Sequence, residues 1–167
     1  MNESRSIIHL LGIKLGIYLA AVAAAYILAA VSATQSVVSS LAGMGVGVSW
    51  PERLAMTVHD LGGMAGMFLP LIALGFLLAF LSTALLCRWW GRWRFILYPV
   101  AGAAAVASIH LLLHFSFGIT PVAIARSSGG LVVQALAGAV GGLTYIGLTR
   151  RFAPAVFDDT PMEPGGA

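Results

Sequence analysis

The 167-residue sequence is 59% hydrophobic and only 9% charged, with a mean hydropathy of +0.94. Soluble domains carry about a quarter of their residues as charges, so this composition excludes a water-soluble globular protein. The net charge of +3 would suit nucleic acid elsewhere. Here the basic residues flank apolar runs, which points to a bilayer as the partner and argues against nucleic acid.

Four apolar runs are long enough to cross a bilayer as helices: residues 11–31, 64–87, 95–117 and 129–149. The alternating segments of about ten residues that mark outer-membrane barrels are missing. The predicted fold class is therefore all-α, a polytopic membrane protein with four transmembrane helices in an antiparallel bundle. Residues 1–152 form that domain, and residues 153–167, acidic and rich in Pro and Gly, read as a disordered tail.

The first run is rich in alanine and carries Gly12 and Gly16 four residues apart. Its basic start and the "VSA" before Thr34 loosely resemble a secretory signal. The run is longer than a signal core and contains Lys14, so it reads better as a retained span. Residues 32–61 are too long for a turn. "SWPE" (Ser49 to Glu52) matches a capping box, with Ser49 as N-cap and Glu52 at the third helical position. Trp50, Leu54, Val58 and Leu61 then recur at helical spacing. A short helical hairpin or interfacial helix is expected here, turning at the glycine-rich "GMGVG".

The second run contains Gly62 and Gly66, again four apart, and the fourth contains Gly138 and Gly142. Small residues at this spacing let helix backbones approach closely in lipid, where no water-driven hydrophobic effect acts between helices. The spacing alone does not separate internal packing from self-association. Between runs two and three lies "CRWWGRWRF", in which Arg88, Arg92 and Arg94 interleave with Trp89, Trp90 and Trp93 as in an interfacial anchor belt. The one cysteine, Cys87, precedes it and has no intrachain disulfide partner. Between runs three and four, "TP" at Thr120 and Pro121 suggests a short helix over 122–126. Arg5, Lys14, Arg88, Arg92, Arg94, Arg150 and Arg151 fall on one side of the membrane, against Arg53 and Arg126 on the other. That asymmetry predicts an inner (cytoplasmic) membrane protein with both termini cytoplasmic.

Ionisable groups inside a membrane mark candidate sites. His110 and His114 share a face of the third run. At 1.5 Å per residue they lie roughly 22 and 28 Å along it, in the outer third. His59 and Asp60 enter the second run at the same side, Gln134 lies just inside the fourth, and Arg126 is in the adjoining loop. These six are the candidate ligand-binding patch, at the periplasmic end. The other half of the bundle offers only hydroxyls such as Ser82, Thr83, Thr144 and Tyr145.

Three functional readings follow. In the first, the histidines are structural, fixing helix register in a non-enzymatic accessory or scaffold subunit, or small binding protein, of a membrane complex or homo-oligomer. In the second, His110 and His114, with His59 or Asp60, hold haem b, a quinone or a transition metal for redox work. The third is small-solute or proton-coupled transport, although the inner half has no charge to continue a path. Catalysis finds little support. Leu111 and Leu113 stand where a zinc protease would need its glutamate, and no GxSxG or phosphate-binding loop occurs.

Overall fold

The computed structural model describes residues 2–117 and 127–154, with side chains from residue 8 onward and not that of Phe117. The described residues form helices and turns without a strand. The helices are α1 (Asn2–Gly43), α2 (Trp50–Leu86), α3 (Arg94–Phe117) and α4 (Ser128–Phe152), with a 3-10 turn over Gly91–Trp93 before α3. All four are long and apolar enough to cross a membrane, which fits a multi-pass membrane protein. The expected helix over 122–126, Arg126 and nearly all of the acidic tail lie outside the described residues.

Two helices exceed their predicted spans by a wide margin. α1 has 42 residues and α2 has 37, against 24 and 25 for α3 and α4. Nothing between residues 32 and 42 stops α1, since that stretch has neither Pro nor Gly. The stop comes at "GMGVG". Gly45 adopts φ +82, the Gly45 N–H bonds to Ala42 O, and the Val46 N–H bonds to Leu41 O, each at 3.0 Å. This paired reverse bonding satisfies the last carbonyls of a helix and needs a residue that tolerates positive φ. At the start of α2 the Glu52 carboxylate accepts from both the N–H and the hydroxyl of Ser49 at 2.7 Å. The hairpin turn is thus closed on both sides by local chemistry.

Neighbouring helices pack as α1 on α2, α2 on α3, α3 on α4 and α4 on α1. Contact order shows each pair to be antiparallel. Tyr18 bonds to Ala73 and Tyr26 to Leu61 across α1 and α2, while Gly102 meets Gly138 and Tyr98 meets Gly142 across α3 and α4.

The buried face of α1 is two adjacent ridges with a four-residue step. Ile17, Ala21, Ala25, Ala29 and Ala33 form a small-residue ridge, and Val22, Tyr26, Ala30, Thr34 and Val38 a larger one. The alanine ridge receives α4, whose Gly141 lies against Ala25. The tyrosine ridge receives α2, whose Phe68, Ile72, Phe76 and Phe80 supply the bulk of the core. Towards the Arg-Trp end the core becomes aromatic. Phe80 meets Phe76 and Tyr145 at a tilt and Tyr98 edge-on, at ring-centre distances of 4.8, 4.7 and 5.5 Å.

The tightest interface is α3 on α4. A Cβ placed on Gly102, Gly138 or Gly142 would fall within 3.0 Å of a backbone carbonyl of the facing helix. Backbones in such contact gain dispersion energy directly, which is what lipid leaves available to drive packing. Replacing Gly138 or Gly142 by Ala is expected to cost about 1–3 kcal/mol of overpacking strain. Gly147→Ala, where a Cβ meets open space, should be neutral or gain up to about 1 kcal/mol of helix propensity. Unfolding of the three variants in detergent micelles measures the contrast.

Candidate functional site

One layer of polar side chains, near the hairpin end of the bundle, joins all four helices. Its centre is Gln134 on α4, which is 0% exposed. The Gln134 Nε2 donates to Ala29 O at 3.0 Å and to Ser32 Oγ at 3.2 Å, both on α1. The Ser32 hydroxyl in turn donates to Ala29 O at 2.9 Å. A carbonyl can only accept, so the amide nitrogen must face Ala29 and the amide oxygen must face the other way. That oxygen meets His110 Nε2 of α3 at 3.4 Å. An amide oxygen also only accepts, so His110 carries its proton on Nε2.

The assignment has a consequence for the second ring nitrogen. His110 is 2% exposed and its Nδ1 has no hydrogen-bond partner. The ring lies 5.5 Å from that of Phe68, so its surroundings on that side are apolar. Chemically, the layer offers one unshared imidazole lone pair in a dry setting.

The fourth helix joins through a different pair. Thr34 on α1, fully buried, donates to Asp60 Oδ2 on α2 at 2.8 Å. Asp60 itself is half-buried. The Tyr26 hydroxyl bonds to the Leu61 carbonyl directly beneath.

The six predicted site residues are therefore dispersed. His110 and Gln134 meet. Asp60 sits beside them in the layer through Thr34. His59 and His114 are exposed, and the His114 ring lies 5.9 Å from that of its neighbour Phe115. Arg126 lies outside the described residues. Among the described residues no three His, Cys, Asp or Glu side chains stand close enough to hold one metal ion. Ser32, Thr34 and Tyr26 belong to the layer without having been singled out. For Tyr26 and Thr34 the signal was available in the four-residue recurrence of Tyr18, Val22, Tyr26, Ala30 and Thr34.

At the opposite end, Cys87 is buried. Around it, Trp89, Trp90 and Trp93 are exposed, as are Arg88 and Arg92.

No protein family, curated protein or solved structure matches this chain.

The layer predicts a specific energetic coupling. Gln134→Leu should destabilise the protein by about 1–3 kcal/mol, because it orphans the buried His110 N–H. Combining it with His110→Leu should recover about 0.6 kcal/mol relative to additivity, the usual worth of an interhelical bond in membranes. Strict additivity in unfolding measurements would mean that the two side chains are not bonded.

Proposed function

We propose that this chain is a non-enzymatic accessory or scaffold subunit of a cytoplasmic-membrane complex, docking its partner along α2 at the hairpin end. The observation that carries this reading is an exposed apolar series at the start of α2. Trp50, Leu54, Val58, Gly62 and Gly66 recur every four residues on α2, and all five are exposed. Trp50 is 81% exposed. At Gly62 and Gly66 an added Cβ would meet nothing within 4 Å, in contrast to the glycines between α3 and α4. The two kinds of glycine pair, indistinguishable in sequence, therefore separate into one used internally and one left free.

Length supports the same reading. The 37 residues of α2 extend about 55 Å, against a hydrocarbon thickness of about 30 Å. With Trp89, Trp90 and Trp93 anchored at one interface, the excess emerges at the hairpin. Lipid tails cover exposed leucines within the bilayer, but they do not reach Trp50, Leu54 and Val58. A protein surface that continues from membrane to water, such as a partner helix leaving the bilayer, would cover both parts of the ridge. In this orientation both termini are cytoplasmic and the hairpin is periplasmic.

The alternative of a haem, quinone or metal site has one supporting observation, the unshared lone pair of His110. Purified protein is expected to show neither a Soret band nor stoichiometric metal, and finding either would favour that alternative. For the docking reading, a photo-crosslinking residue replacing Val58 or Gly62 in native membranes should give one discrete protein adduct. The same residue replacing Leu112, exposed on α3, should capture lipid only. An adduct of twice the chain mass would identify a second copy as the partner. Absence of any protein adduct at both α2 positions would overturn the proposal.

A further inference from the structure

The α1–α2 hairpin carries a groove of about 430 Å³, lined by Gln35 of α1 and by Trp50, Pro51, Arg53, Leu54 and Thr57 of α2. Arg53, its one charged lining residue, is half-buried, and the guanidinium lies 5.7 Å from the ring centre of Trp50. A guanidinium over a ring leaves its in-plane N–H donors to a further acceptor. The chain's own carboxylates are placed elsewhere. Glu52 accepts from Ser49 and Asp60 from Thr34, and residues 118–126 contain neither Asp nor Glu. The remaining acids, Glu3, Asp158, Asp159 and Glu163, belong in sequence to the other end of the bundle. The 25 residues of α4 hold Ala153 roughly 37 Å from the hairpin side. The chain from there to Glu163 spans at most about 35 Å, and the bilayer lies between.

On the premise that a partner docks along α2, we infer that this groove receives an Asp or Glu side chain of that partner, with Arg53 as the counter-ion. Depth decides against a lipid headgroup. Arg53 lies in the first turn of α2, roughly 50 Å from Leu86 at 1.5 Å per residue. A bilayer with both headgroup layers is about 40–45 Å thick, and a tilt of about 20° shortens the span of α2 only slightly. With Leu86 beside the tryptophan anchor at one interface, Arg53 stands clear of the phosphates of the other. A protein does reach it. Trp50 and Leu54 belong both to the groove and to the exposed series that continues through Val58, so a helix covering that series has side chains at the groove. A second copy brings to this end only Glu52 and Asp60, which are engaged, and another Arg53, which repels the first. The partner is therefore a different chain with an acidic residue where its helix leaves the bilayer, and pairing with a planar guanidinium fixes its register.

The test uses full-length protein in native membranes, with the photo-crosslinking residue replacing Val58. In that background Arg53→Gln should lower the yield of the partner adduct by roughly tenfold, as expected for loss of a charge-assisted hydrogen bond. Arg53→Lys should retain most of it. Lys14→Gln, at the other end of the bundle, should leave it unchanged, and circular dichroism of the purified variants checks their folding. Direct contact is read with a carbodiimide, which condenses an amine with a carboxylate it touches and takes up the water released. Treated Arg53→Lys membranes should give an adduct of the same mass as the Val58 adduct, absent from treated wild type. Peptide mapping should place the new amide bond at an Asp or Glu of the partner. A Val58 adduct that Arg53→Gln leaves undiminished, or that has no carbodiimide counterpart, would overturn the inference and leave docking along α2 standing. A carbodiimide bond to Glu52 or Asp60, or to a lipid, would also overturn it. With no protein adduct at Val58 or Gly62, both readings fail together.

Discussion

Gln134 sits where three helices meet, and every polar atom of its side chain is spoken for. In a bilayer this is a stringent condition, because an amide facing lipid has no water to fall back on. Rotation of α4 by even one residue would carry the amide away from Ala29 and Ser32 and leave it unpaired. The bond to His110 passes the same constraint to α3. Each such bond contributes little on its own, roughly 0.6 kcal/mol on average. Together they select one azimuth for each helix among packings that small residues alone would leave nearly equivalent.

That selection suits the two-ridge design of α1. Alanines at 21, 25 and 29 let α4 come close enough for a glutamine to reach backbone, while Tyr18, Tyr26 and Thr34 on the next ridge reach across to α2. The helix is a divider with a thin side and a thick side. On α2 the division is between inside and outside. Phe68, Ile72, Phe76 and Phe80 face the core, whereas Trp50, Leu54, Val58, Gly62 and Gly66 are exposed.

Much of this architecture was legible beforehand. Apolar run length places four spans, and the rise per residue places His110 and Gln134 at one depth. "SWPE" and "GMGVG" mark the hairpin turn because capping is local chemistry, decided by a few neighbouring residues. Helix length was underestimated because hydropathy measures the part in hydrocarbon, whereas α1 runs on through Ser and Thr until Gly43 and Gly45 permit a stop. Azimuth was the harder quantity. His110 and His114 are four residues apart, but that step advances about 40° beyond a full turn. It is enough to leave one imidazole buried and the other exposed. Which glycine pair is consumed inside the bundle depends on the same rotations, and no spacing rule within a single helix encodes them.

The α1–α2 hairpin also bears on how the chain is made. Chains emerge N-terminus first, so α1 and α2 are in place before α4 exists. Their mutual bonds through Tyr18, Tyr26 and Thr34 involve no residue of α3 or α4. What is not complete is the face of α1 bearing Ala29 and Ser32, which waits for an amide that arrives about a hundred residues later. Until then this half-built protein presents a hydroxyl and small side chains to lipid where the finished one presents leucine and valine. A membrane chaperone or protease that recognises polar groups at that depth would have a simple means of telling nascent chains from mature ones.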